Sequence, residues 1–395
     1  MPYGLTRRLA LVVVLGMFFA CGCQSAREEP SPSPSSAPDP PSPTSDAASA
    51  VDAEAAGKLV PDAAVGPLVA RLSERPGDFP SENYVTNETS LLHVAQALRE
   101  PRLRGRAYVG VGPEQSYTYL ALLEPRVAYL VDIRRGNLLE HLVFRGCFEE
   151  GATRVGFLRA LLAREPRADT AKGTGFATVE AAFRGLPSDP SLEAHGVART
   201  RALLERLAIP RETSDDRDIV RIHRAFARHG LAIAYSMVGS ERWYPTLAQN
   251  LSATEGDVGT FLASEEAYTK VRRIVLENRV VPVVGDFGGT HALRAVGDDM
   301  RARGLTLGVF YASNVEQYLF EPKKHGAFVK SVAAMPHDDA SMLVRVWFDA
   351  GRRHPAQREG HRTTQLAVSV DAFVARGERR PFRSYWEVVT AAATD

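Results

Sequence analysis

The stretch from Ala107 to Asp132 constrains the fold more than any other part of this 395-residue chain. An apolar run over 107–111 leads through Gly110-Val111-Gly112-Pro113-Glu114-Gln115 into a helical pattern. A second apolar run follows over 127–133, with Asp132 near its end. Pro113 suits a first helical turn, where the N–H it lacks would go unbonded anyway. Two apolar runs separated by a helix read as neighbouring parallel strands, because parallel strands need a crossover between them. The alternation continues with a helix over 265–278, a strand over 280–284 despite Pro282, a helix over 291–303, and strands over 305–311 and 342–348. This predicts an α/β domain with a mostly parallel sheet and helices on both faces. Between about 140 and 240 the sequence is polar and Arg-rich, and reads as a largely helical insertion. Helices are expected around 156–163 and 217–229, and a strand over 231–238. Upstream, 87–98 reads as a helix with Asn87 as N-cap and Leu91, Val94, Ala95 and Leu98 on one face.

Strand, Gly-x-Gly, helix, strand and terminal acid are the parts of a Rossmann-type nucleotide site. Gly110 and Gly112 let a ligand approach the backbone, and Asp132, 20 residues after Gly112, can hold a ribose. A dinucleotide would set its pyrophosphate on the helix N-terminus. Here Pro113 removes one donor there, Glu114 adds a carboxylate, and Gln115 replaces the third glycine. S-adenosylmethionine carries a sulfonium and an ammonium but no phosphate, so an acidic loop suits it better. The segment resembles motif I and the second-strand acid of class I S-adenosylmethionine-dependent methyltransferases. The resemblance implies a Rossmann-like three-layer α/β sandwich of that type, with S-adenosylmethionine as cofactor at Gly110, Gly112, Glu114 and Asp132. Val283-Val284-Gly285-Asp286-Phe287 and Tyr311-Ala312-Ser313-Asn314-Val315-Glu316-Gln317-Tyr318 end two later strands. Ligands of open α/β sheets bind at such ends, so Asp286 and Asn314 are the candidates for orienting a methyl acceptor. The Asn/Asp-Pro-Pro-aromatic element of amino methyltransferases is absent. With Asn83-Tyr84, Asn87-Glu88 and Val131-Asp132-Ile133-Arg134-Arg135, the whole resembles an uncharacterised group of bacterial lipoproteins with a methyltransferase-like core. Two functions stay open. One is methyl transfer, and the other is non-catalytic binding of a small ligand or envelope partner through the same cleft.

The N-terminal residues form an address. Arg7 and Arg8 precede an apolar run over 9–20, too short to span a bilayer as a helix. Ala20-Cys21-Gly22-Cys23 then resembles a lipobox, in which Cys23, or alternatively Cys21, is lipidated. Residues 24–57, rich in Pro, Ser and Ala, have no apolar periodicity and read as a disordered tether. The folded domain is expected over 58–395. The expected location is the bacterial cell envelope, with the lipid in the membrane, and the outer membrane is favoured because neither cysteine is followed by Asp.

Composition removes other classes. Formal net charge is +1, without the basic excess of a nucleic-acid-binding domain. Three cysteines, two of them at the extreme N-terminus, make no disulfide framework. Cys147 stands alone beside an apolar run and reads as a buried, inert thiol. No His-Glu-x-x-His, zinc spacing or Gly-x-Ser-x-Gly elbow is present, so no metal is expected. The arginines between 199 and 228, interleaved with acids, read as a solvated helical face. Replacing both Cys21 and Cys23 by Ser is expected to abolish labelling by radioactive palmitate and release the protein from the membrane fraction. A double variant that still labels and still sediments with membranes would exclude the lipid anchor.

Overall fold

A computed structural model of the chain describes residues 58–167, 175–236, 242–321 and 323–391. The export signal with Cys21 and Cys23, and the tether, lie outside the described residues. The core of the fold is a six-stranded sheet: β1 (Ala107–Gly110), β2 (Val127–Asp132), β3 (Val280–Val284), β4 (Leu307–Ser313), β5 (Met342–Phe348) and β6 (Thr363–Ser369). The spatial order is β3-β2-β1-β4-β5-β6. Every pairing is parallel except β5 with β6. Every residue of β2 and β4 is buried, as expected of parallel strands covered on both faces. Pro282 explains the place of β3, since proline cannot donate to a ladder and is tolerated at a sheet edge. It sits opposite Leu130 on β2, and β3 pairs with no other strand.

Helices flank this sheet in two groups. Asp62–Leu72, Ala292–Ala302, His325–Ala333 and Val370–Arg379 pack in series, while Gln115–Leu123, Arg135–Glu150 and Glu265–Leu276 form the other group. Arg135–Glu150 also carries Arg154–Leu162, Pro190–Arg206 and Asp215–His229. The chain between β2 and β3 is therefore the helical insertion, and its expected start near 140 falls inside a continuous helix that begins at Arg135. The architecture is a mixed α/β fold with a mostly parallel sheet, compatible with a Rossmann-like arrangement. The arginine-rich face is laced by ion pairs such as Arg201–Asp216 and Arg211–Asp216, both partly exposed.

Two local expectations are overturned. The strand expected over 231–238 is a 3-10 turn, Gly230–Ala232, followed by a single bridge from Ala234 to Thr246; residues 237 and 238 lie outside the described residues. The helix expected over 87–98 is only Ala95–Leu98, so Asn87 is no N-cap. Here long-range partners win over helical propensity. The Ser90 N–H donates to Thr363 Oγ1 at 3.0 Å, and Thr89 Oγ1 accepts from the Arg362 N–H at 3.0 Å. With the Thr363 hydroxyl of β6 and the Arg362 N–H just before it satisfying Ser90 and Thr89, the segment becomes a run of turns across the end of the sheet.

One buried ion cluster ties the end of β4 to its neighbours. Glu316, fully buried, lies 2.8 Å from Arg345 Nε on β5 and accepts from His325 Nε2 at 2.9 Å. The Arg345 guanidinium also stands 4.8 Å from the Phe373 ring centre. Glu316→Gln is expected to cost about 3–5 kcal/mol in urea unfolding, because it leaves a buried guanidinium uncompensated. Adding Arg345→Met should restore much of that stability.

Candidate active site

The strand order reverses between β1 and β4, and open α/β sheets place ligands at that crevice. A cleft of about 390 Å³ opens there. Its floor is the Gly112 loop with the ends of β2, β3 and β4, and its far wall is the segment around Asn83–Glu88. That volume is within the range of small-molecule sites.

The loop after β1 is held from two sides. Gly112 has φ +88°, a conformation that glycine alone adopts cheaply. Beneath it, His141 Nε2 donates to the Gly112 carbonyl at 3.2 Å while its Nδ1 accepts from the Tyr117 hydroxyl at 3.0 Å. Burial holds this imidazole neutral, with its pKa down to about 4. From the other side, the Thr86 N–H donates to both Glu114 carboxylate oxygens at 3.0 and 3.2 Å. The helix itself begins at Gln115, one residue after Glu114.

Of the expected site residues, Gly112, Asp132, Asp286 and Asn314 line the cleft. Gly110 and Glu114 do not. Gly110 is required by packing, since a Cβ there would come 2.5 Å from the Tyr108 ring. Glu114 is buried behind the loop as the anchor of Thr86, which corrects its expected place beside a ligand. Asp132 points at the cleft but is engaged: Oδ1 accepts from the Arg134 N–H and Nε, and Oδ2 from Arg134 Nη2 at 3.1 Å. Asp286 accepts from the Gly288 N–H at 2.8 Å and pairs with Lys324 at 2.6 Å. Asn314 opens the 3-10 turn Val315–Leu319 without a side-chain capping bond. Cys147 is fully buried, its thiol pushed up to about 11 by desolvation, as expected of an inert cysteine.

The residue that sequence reasoning missed is Glu88. Only 1% of it is exposed, yet it lines the cleft. Its Oε1 accepts from the hydroxyls of Tyr311 and of Ser313, the latter at 2.6 Å. Ser313 has φ +49°, strained for a residue with a Cβ, and the register of β4 against β5 shifts just before it. Among the described residues Oε2 of Glu88 has no hydrogen-bond partner, and neither do Asn83 Oδ1, Thr86 Oγ1 and Gln115 Oε1, all from cleft-lining residues. Acceptors therefore dominate the unfilled hydrogen-bonding capacity. The signal that points to Glu88 is Asn83-Tyr84 with Asn87-Glu88, which enters the family resemblance, while the helical pattern over 87–98 places Glu88 in a first helical turn.

Desolvation raises three buried acids around the loop: Glu88 to about 7, Glu114 to about 8, and Glu140, whose two oxygens both lack a protein partner, well above the carboxylate range. A raised folded-state pKa means that stability is fully present below the unfolded value near 4.5 and is lost as pH climbs through the folded one. The protein is expected to lose roughly 3 kcal/mol between pH 4.5 and 7 for Glu88, and roughly 5 kcal/mol between 4.5 and 8 for Glu114. Urea midpoints across this range check it. Glu88→Gln should flatten the part below pH 7, and an unchanged slope would place no titrating carboxyl at this position.

Comparison with known proteins adds a family. A search of curated proteins finds no match. Residues 84–378, from just before Glu88 to within the helix Val370–Arg379, match the family described as a domain of unknown function, DUF7790. The chain belongs to that family.

Proposed function

We propose that the domain is a methyltransferase-like fold that binds S-adenosylmethionine in the strand-end cleft, carried on a lipid-anchored cell-envelope protein. The observation that carries this reading is the sign of the cleft. Four acids line it, Asp78, Glu88, Asp132 and Asp286, against two bases. Both bases are paired, Arg134 with Asp132 and Lys324 with Asp286, so the acids left without a cation are Asp78 and Glu88. Among the described residues a pyrophosphate would find no unpaired cation there, whereas a ligand with a sulfonium and an ammonium meets two unpaired acids and unfilled acceptors. The strand order, with its reversal between β1 and β4 and an antiparallel last strand, supports the same family of folds.

The residues present suit such a ligand. Gly112 allows backbone approach, and Asp132 keeps a lone pair on Oδ2 beyond its one bond to Arg134. Asn314, at the end of β4, has a side chain unused by capping and is the candidate for orienting an acceptor. Asp286 is the weaker candidate for that role because Lys324 and Gly288 already hold it. A bound S-adenosylmethionine would supply an electrophilic methyl group.

A second reading, ligand binding without catalysis, is favoured by the Arg134 clamp on Asp132. The two share the cleft and differ in what fills it, which in the second reading is another small ligand or an envelope partner. Calorimetry of the full chain with S-adenosylmethionine and S-adenosylhomocysteine tests both. Binding is expected, and Asp132→Asn, which keeps the shape but removes the charge, should weaken it by about one to two decades. If the folded protein binds neither compound at millimolar concentration, the cofactor reading is excluded.

A further inference from the structure

Among the described residues, Glu88 is the buried acid of the cleft that no cation neutralises. Asp132 has Arg134 and Asp286 has Lys324, but Glu88 meets only the hydroxyls of Tyr311 and Ser313, both on Oε1. Oε2 remains without a protein partner although the side chain is almost wholly buried. Leaving a buried carboxyl oxygen unfilled is unfavourable, and the unfavourable term is larger for the ionised form. Asn83 Oδ1, Thr86 Oγ1 and Gln115 Oε1, also unfilled, come from residues lining the same cleft. A group that satisfies this set must bring several N–H donors, and to stabilise the carboxylate it must bring positive charge.

We propose that Glu88 is the recognition point for a protonated amine of the ligand, and that the amine enters as Glu88 releases its own proton to solvent. The exchange balances: an ammonium and a carboxylic acid become an ammonium–carboxylate pair plus one free proton. No other bond forms or breaks. The groups facing Glu88 fit this assignment. From β1 comes Tyr108, from the loop Glu114, from the helix Gln115–Leu123 Tyr119, from β4 Tyr311, and from the helix Tyr385–Ala391 Tyr385. All four phenols are raised by burial and stay neutral, and Glu114 is a further acid, so nothing in this shell supplies a positive charge. Desolvation accordingly holds the Glu88 carboxyl up to about 7, within reach of a cation that would bring it down.

The amine has two sources. One is the amino-acid arm of an S-adenosyl ligand, which rests on the reading of the preceding subsection. The other is an amine on a separate molecule, which does not. Titration calorimetry of the full chain near pH 6, in two buffers of different ionisation enthalpy, counts the protons released. The probes are S-adenosylhomocysteine, methylthioadenosine (the same nucleoside without the amino-acid arm) and propylamine. If the arm is the source, S-adenosylhomocysteine releases close to one proton while methylthioadenosine releases none. Glu88→Gln then abolishes the release and weakens S-adenosylhomocysteine about tenfold or more, leaving methylthioadenosine unchanged. If a separate amine is the source, propylamine releases the proton and the two nucleosides behave alike. The proposal is overturned if no amine releases a proton from wild type, or if the release survives Glu88→Gln. The wild-type count stands even if the variant folds poorly. Propylamine binding with release, but no binding of either nucleoside, would remove the cofactor reading and leave Glu88 as an amine site.

Discussion

The segment from Thr86 to Ser90 is pinned at both ends by bonds to distant parts of the chain, and the geometry of the cleft depends on that pinning. At one end the Thr86 N–H meets Glu114 and the Thr86 carbonyl accepts from Asn250 Nδ2 at 2.8 Å. At the other, Thr89 and Ser90 meet Thr363 on the last strand of the sheet. The residues between cannot slide, so Glu88 is set against Tyr311 and Ser313 at the end of β4. A buried acid with one oxygen unfilled would otherwise turn to solvent. What keeps it inside is backbone fixed on either side, together with a left-handed Ser313 that aims its hydroxyl at the same oxygen.

This arrangement explains how far the sequence could be read. The strands were legible because buried parallel strands are continuous apolar runs, and β3 and β5 lie over the residues their patterns predict. The ends of β2, β3 and β4 were legible too, since strand–loop–helix units bring Asp132, Asp286 and Asn314 to one edge by topology alone. The Thr86–Ser90 segment was not. Its partners are more than 270 residues away in the case of Thr363, and helical spacing of Leu91, Val94, Ala95 and Leu98 carries no trace of them. Those four side chains are buried as a helical face would bury them, but the backbone forms one helical turn rather than three. The strand expected over 231–238 failed for a related reason: apolar residues such as Ile233 and Tyr235 are buried from irregular backbone, without a ladder.

The charge of the site shows where residue-level reasoning and structure part company. An acidic loop was expected to face the ligand through Glu114. The cleft is acidic, but through Glu88, while Glu114 is turned inward to bond backbone N–H. Sequence order could place an acid beside the loop without saying which side of the chain its carboxyl would take. Gly110 is a parallel case. Its lack of a side chain reads as room for a ligand, and it serves to admit the ring of Tyr108. Of these two glycines, Gly112 is the one that combines positive φ with a position on the cleft.

Three acids raised by burial around one loop are a concentration of unfavourable desolvation that the rest of the fold must offset. The continuous apolar core around β1, β2 and β4 can do so, since each fully buried aromatic or aliphatic side chain contributes about 1.5–3 kcal/mol. Glu114 gains part of its compensation from the Thr86 N–H, and that bond is what fixes the wall of the cleft. Glu140 has no such return among the described residues. Glu88 differs from both in opening onto the cleft, so its missing partner can come from outside the chain. The match to DUF7790 begins at Tyr84 and so takes in the Thr86–Ser90 segment of this wall, together with the Gly112 loop and the ends of β2, β3 and β4. The helix Asp62–Leu72 lies outside the matched residues and contributes packing, through Val65, Leu68, Val69 and Leu72, but no side chain to the cleft. The acid and the backbone that holds it inward therefore belong to the same matched domain as the sheet edge they face.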